Sequence, residues 1–177
     1  MEIEEGNIKF ILTNTENQKL DENSNKTSIN LGSCEDKLKS FYNISYNDSL
    51  YITKIDIKEE GINIPKIEYE VYYPLYDSEL IKLNLTVCKD IRIDISIPVH
   101  IDKSLDKYNT SSDYYNNICT KTITDSGTDI SLNDRKNEFI ENNLTLCEED
   151  CDLIDYNYTI EKAKCSCSVK IKIPLLE

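Results

Sequence analysis

Leu50-Tyr51-Ile52-Thr53-Lys54-Ile55-Asp56-Ile57-Lys58 decides the fold. Its apolar residues Leu50, Ile52, Ile55 and Ile57 bring a period of two into the chain, the mark of a half-buried β-strand. Gly61 turns the chain, and residues 62–73 alternate again through Ile67, Tyr69 and Val71. Pro65 places that stretch at an edge or a bulge, because proline cannot donate to a ladder. After a turn at Pro74–Ser78, Leu80–Cys88 and Asp90–Val99 alternate in the same way, the latter through Ile91, Ile93, Ile95 and Ile97. Four or five antiparallel strands at near-regular spacing predict a mainly β fold, an antiparallel sandwich or open barrel with short helices.

Upstream, residues 7–13 hold one apolar strand, with Ile8, Phe10 and Leu12 on a shared face. Asn14–Ser28 is almost wholly polar and reads as a linker. A loop of that length is unusual inside a compact domain, so the strand is expected to pair with something other than its sequence neighbour. Ser33 is positioned to cap a short helix over Cys34–Tyr42, with Leu38 and Phe41/Tyr42 on one side. Downstream, 103–117 is polar and loop-like. Ser131 with Asp134 three residues on predicts a helix over Leu132–Asn142, with Phe139 and Ile140 inward. Strands follow near Tyr156–Thr159 and through Cys165, Cys167, Val169, Ile171 and Ile173. These readings divide the chain into an arm and linker at 1–28, a β domain at 29–102 and a cysteine-rich subdomain at 103–177.

The 177 residues carry a net charge of −13. That charge opposes nucleic acid and anionic membrane surfaces, both of which need Lys and Arg. Lysine outnumbers arginine 18 to 2 and isoleucine outnumbers valine 25 to 4, a bias of AT-rich codons rather than of chemistry. No segment reaches the roughly 18 apolar residues a membrane helix needs. Residues 1–6 are acidic and lack an apolar run, so they are no signal peptide, and a secreted form would be a mature chain or a fragment.

Two features place the chain outside the cell or on its surface. Asn-x-Ser/Thr sequons stand at Asn25, Asn43, Asn47, Asn84, Asn109, Asn143 and Asn157. Chance in a chain of this composition gives about three, and each sequon is an acceptor for an N-linked glycan. The second feature is seven cysteines at tight local spacings, which read as disulfides in an oxidising compartment. A zinc site would use paired knuckles, and Cys165-Ser166-Cys167 makes a poor one. The Cys119, Cys147, Cys151, Cys165, Cys167 series resembles an EGF-like module, although its first gap is longer and a sixth cysteine is absent. With Asp134–Phe139 it also looks like the cysteine-rich ectodomains of surface proteins of AT-rich protists. The EGF resemblance implies Cys119–Cys151 and Cys147–Cys165. Cys34 and Cys88 are then the remaining pair, and Cys167 is left as a free or intermolecular thiol.

Catalytic motifs are thin. Asp125-Ser126-Gly127-Thr128 matches the short aspartic-protease signature, but that chemistry needs a second such loop, and the stretch reads as a turn. Asp129, Asp134, Glu148, Glu149, Asp150 and Asp152 lack the spacing of a calcium loop. His100 is the only histidine, so no His-based triad or multi-His metal site has members enough. The chain is expected to be no enzyme, with no metal and no cofactor. The expected function is a structural subunit of an extracellular layer or filament, assembling with copies of itself by donating the Ile8, Phe10, Leu12 strand. The alternative is a monomeric adhesive or receptor-like module in which that strand closes its own sheet.

Overall fold

The structure is a computed structural model that describes residues 1–74, 79–122 and 129–171, and among these residues fifteen short elements follow one another. The strands are β1 (Glu2–Glu5), β2 (Ile8–Asn14), β3 (Ser28–Asn30), β4 (Tyr51–Ile57), β5 (Lys66–Pro74), β6 (Leu80–Lys82), β7 (Arg92–Pro98), β8 (Cys151–Asn157) and β9 (Lys162–Ser168). The α-helices are α1 (Thr15–Asp21), α2 (Ser33–Phe41), α3 (Asp113–Asn116) and α4 (Leu132–Glu141). Two 3-10 turns, Leu85–Cys88 and Leu105–Tyr108, complete them.

The strands form two antiparallel sheets, one of order β1-β2-β4-β5-β6 and one of order β3-β7-β9-β8. Alternation supplies the faces between them. From the first sheet come Ile52, Ile67, Tyr69 and Val71, and from the second Ile29, Ile93, Ile95, Cys165 and Cys167, all in one core cluster. Leu38 and Cys34 of α2 join the same cluster. A smaller cluster of Tyr108, Leu144, Leu146, Tyr156 and Ala163 seats the second 3-10 turn and the segment after α4 against the second sheet. The protein is therefore a mainly antiparallel β-sandwich with short helices.

The arm expected at 1–28 is corrected. β2 pairs with β4 over its whole length, from Ile8↔Ile57 to Asn14↔Tyr51, and with β1 on its other side. The β1–β2 hairpin turns at Gly6, whose φ of +61° suits glycine and few other residues. The polar linker is also corrected, since it holds α1 and the start of β3. Asn14 Oδ1 caps α1 by accepting the Asn17 N–H at 2.8 Å. Only Thr15 and Gln18 are buried on α1, so it has no apolar stripe to reveal it. It is held by polar contacts instead. The Thr15 hydroxyl donates to Glu35 at 2.9 Å, and Gln18 Oε1 accepts the Ile29 N–H at 2.9 Å.

The boundary expected at 102/103 runs through one sheet. β9, from the cysteine-rich end, lies between β7 and β8. Smaller expectations change as well, among them the last strand, which ends at Ser168 rather than running through Val169 and Ile171. Leu80–Cys88 is a three-residue strand followed by a 3-10 turn, and Ile140 is 76% exposed rather than inward.

Three disulfides join Cys34 to Cys88, Cys147 to Cys165, and Cys151 to Cys167. They mark a chain built for an oxidising environment. Cys119 and Cys167 exchange the roles expected of them, so Cys119–Cys151 does not form. Sheet register is the reason. Cys151 stands directly across from Cys167 on β8 and β9, with Cα atoms 4.1 Å apart. Cys119 is an exposed free thiol in a loop that Arg135 holds elsewhere. Arg135, 0% exposed, donates to the carbonyls of Tyr114, Asn117, Thr120 and Ile130.

Candidate functional site

β2 carries its most apolar row on the outside of the sandwich. Its inner face shows Lys9, Ile11 and Thr13, opposite Asp56, Lys54 and Ile52 of β4. Its outer face shows Ile8, Phe10 and Leu12, opposite Ile57, Ile55 and Thr53. β1 extends the row by placing Ile3 across from Phe10, and Tyr51 continues it beside Tyr72 of β5. Ile3 is 54% exposed, Ile8 44% and Tyr51 36%, while Phe10, Leu12, Ile55 and Ile57 are half-buried. These residues make one apolar row across three neighbouring strands on the solvent side of the sheet.

Charged residues take over on the outer side of β5. Glu70 is bound by both the Lys82 ammonium and the Tyr72 hydroxyl. Burial by itself would raise the Glu70 carboxyl, but these hydrogen bonds outweigh it and hold the group below the usual carboxylate range. Tyr72 is pushed up to about 12, by burial first and then by Glu70. Glu68 pairs with Lys66 at 3.0 Å. The outer face thus grades from an apolar half on β1, β2 and β4 to an ion-paired half on β5 and β6.

All seven sequon asparagines lie off the five strands of this sheet. Asn25 follows α1, Asn43 follows α2, Asn47 precedes β4, Asn84 begins the first 3-10 turn, Asn109 ends the second, Asn143 follows α4 and Asn157 ends β8. Asn25, Asn43, Asn47, Asn84 and Asn157 are exposed, while Asn109 and Asn143 are half-buried. At Asn84, Asn109 and Asn157 the side-chain oxygen accepts the N–H of the Ser or Thr two residues on. That local turn leaves the amide nitrogen, the atom a glycan is joined to, turned away from the backbone. Asn143 differs. Its Nδ2 donates to the Gly61 carbonyl at 2.8 Å and its φ is +49°.

The residues weighed for chemistry stand apart. His100 Nδ1 lies 2.8 Å from Glu161 in an exposed pair. Asp134 receives the Ser131 hydroxyl as an α4 cap, Glu148 accepts the Ile67 N–H, and Asp152 pairs with Arg92 at 2.7 Å. Among the described residues no group of three or more His, Cys, Asp or Glu is set to hold a metal. The Asp125–Thr128 stretch lies outside the described residues. No described helix is long and apolar enough to cross a membrane.

Sequence reasoning singled out Ile8, Phe10 and Leu12 as a detached assembly arm, whereas the structure sets them within a sheet between β1 and β4. It missed Ile3, Ile55, Ile57 and Tyr51 as their neighbours, which only strand register brings together. No protein-family model, no curated protein and no solved structure matches this chain.

Proposed function

We propose that this chain is a non-enzymatic recognition module of an extracellular surface protein, binding another protein through the apolar outer face of β1, β2 and β4. One observation carries the reading. A row of exposed and half-buried apolar residues, Ile3, Ile8, Phe10, Leu12, Tyr51, Ile55 and Ile57, falls on the sheet whose strands hold none of the seven sequons. A glycan is bulky and hydrophilic, so a chain that bears sugars around a face and none on it keeps that face open to a partner. The disulfides and sequons together support the surface location. Strand donation to another copy would need β2 free, and β2 has partners on both edges here. Its engagement favours the adhesive or receptor-like reading over the filament.

Replacing both Phe10 and Ile55 with lysine tests it. The two are directly opposite each other and half-buried, so the sandwich core is untouched. An aromatic centre of an interface is commonly worth about 2 kcal/mol or more, or roughly thirtyfold in affinity. Fluorescent tetramers of the glycosylated wild-type protein should bind intact cells, and tetramers of the double variant should bind at least tenfold more weakly at unchanged melting temperature. Equal binding by a folded variant, or no cell binding by the wild type, would remove the proposal.

A further inference from the structure

The helices α2 and α4 end in the same way. After α2 the Ile44 N–H donates to the Lys39 carbonyl at 2.8 Å and the Asn43 N–H to the Ser40 carbonyl at 3.4 Å. After α4 the Leu144 N–H donates to the Phe139 carbonyl at 3.1 Å and the Asn143 N–H to the Ile140 carbonyl at 3.2 Å. Both are Schellman ends, and in both the left-handed position is an asparagine, Asn43 at φ +55° and Asn143 at φ +49°. Asparagine tolerates that conformation better than most residues, so the backbone accounts for Asn at both places. Each is also the acceptor of a sequon, Asn43-Ile44-Ser45 and Asn143-Leu144-Thr145. Their side chains differ. Asn143 commits its Nδ2 to the Gly61 carbonyl, whereas the exposed Asn43 side chain makes no hydrogen bond among the described residues.

Asn43 stands in the wall of an open groove of 620 Å³ where the end of α2 meets β5 and β6. Tyr42, Ile44, Tyr73, Pro74, Ile81 and Leu83 make the rest of the lining. None of them is charged, in a chain of which 30% is charged. The tyrosine hydroxyls already have partners. That of Tyr42 accepts the Asn84 N–H at 2.8 Å, and that of Tyr73 donates to Asp48 at 2.9 Å. These bonds bring two more sequons to the rim, Asn84-Leu85-Thr86 and Asn47-Asp48-Ser49. Apolar surface meets solvent here. Ile81 is 39% exposed, and Phe41, 67% exposed, sets its ring edge-on to Tyr42 with 5.0 Å between centroids. An uncharged, partly aromatic wall suits the C–H face of a pyranose and the methyl of an acetamido group, and it opposes a charged ligand, which would lose water for no partner.

We propose that the N-linked glycan of Asn43 folds back into this groove, its first N-acetylglucosamine lying against Tyr42 and Ile81 with the acetyl methyl toward the apolar wall. The inference rests on the glycosylated, extracellular reading. Attachment to a residue of the wall itself gives the sugar a local concentration in the millimolar range or above, so a contact too weak to hold a free sugar suffices. A partner protein is opposed by the same three acceptors, because a bulky glycan on Asn47 or Asn84 would stand at the rim. The chain then treats its exposed apolar surface in two ways. The groove beside α2 is covered by the protein's own sugar, and the outer face of β1, β2 and β4 is left for a partner.

The experiment uses the intact glycoprotein. Peptide mass spectrometry first records occupancy at each sequon. After endoglycosidase trimming to single N-acetylglucosamine residues, nuclear Overhauser cross-peaks should link the Asn43 acetyl methyl to the methyls of Ile81, which the Ile81→Ser variant identifies by their loss. With whole glycans in place, native release by an amidase should be roughly fivefold faster at Asn43 in Ile81→Ser than in the wild type, the factor that uncovering about half of one isoleucine is worth. Release at Asn157, on the other sheet, should not change. An occupied Asn43 without those cross-peaks, or release at Asn43 that ignores Ile81, overturns the proposal and leaves glycosylation standing. An empty Asn43 beside occupied sequons elsewhere does the same. Cross-peaks from Ile81 to a differently labelled second copy, in place of the sugar, assign the groove to self-association and also overturn it. Sequons empty throughout overturn both the proposal and the reading beneath it.

Discussion

Replacing Lys162 with methionine isolates one buried charge and its effect on stability. Lys162 is 3% exposed at the start of β9. Its Nζ donates to the carbonyls of Asp21 at 2.6 Å, Glu22 at 3.3 Å and Ser24 at 3.2 Å, and so caps the C-terminal end of α1. Burial lowers its pKa from 10.5 to about 8, with the nearby Lys54 adding to the effect and Asp21 opposing it. Below pH 8 the ammonium is charged in both states, and the folded protein bears the cost of burying it. Between pH 8 and 10.5 the folded state releases its proton first, so unfolding takes a proton up and stability rises with pH. Above 10.5 both forms are neutral. At 1.36 kcal/mol per pKa unit, the rise attributable to Lys162 is about 3 kcal/mol. Urea unfolding of the wild type and of Lys162→Met, followed by circular dichroism from pH 7 to 10.5, gives the difference directly. Both proteins should carry Cys119→Ser, so that the free thiol does not exchange with the disulfides at high pH. Buried tyrosines such as Tyr69, pushed up to about 12 by burial, lower stability above pH 10 in both proteins and cancel in the difference. A wild-type-minus-variant difference that stays flat from pH 7 to 10.5 would refute the burial argument.

Two further outcomes follow from the disulfide framework. Replacing Cys34 and Cys88 together with alanine releases a loop of 54 residues between α2 and the 3-10 turn before β7. The chain-entropy relation assigns that loop about 4 kcal/mol, to be read as a lower urea midpoint at unchanged fold; a loss under about 1 kcal/mol would count against it. Native protein treated with an alkylating reagent should incorporate one label per chain, and peptide mapping should place it on Cys119. A label on Cys167 would restore the pairing expected from the EGF-like spacing and reject the β8–β9 register.

Much of the frame was legible because it rests on local periodicity. The alternations at 50–58, 62–73 and 90–99 mark β4, β5 and β7, since a strand with one buried face must alternate. The Ser131–Asp134 cap marked α4 for a similar local reason: the Ser131 side chain accepts the Asp134 N–H. α1 escaped notice because it is anchored by Thr15 and Gln18 through hydrogen bonds, which leave no apolar stripe. The buried relay in which the Lys54 ammonium donates to the Thr27 hydroxyl, and that hydroxyl to Asp56, escaped for another reason, since its members lie 27 and 29 residues apart and meet only across β4.

The sequence by itself determined where β2, β4, β5 and β7 form, how many cysteines must be accommodated, and where glycans can attach. Each of these depends on a residue and its near neighbours. Tertiary structure alone decided which cysteines meet, because Cys151 finds Cys167 through strand register rather than spacing. It also decided which side of β2 faces water. Alternation separates Ile8, Phe10 and Leu12 from Lys9, Ile11 and Thr13, but it does not say which row is inside. That choice follows from the second sheet, α1 and the relay on Thr27 all lying on the Lys9, Ile11 side. The more apolar row was left outward.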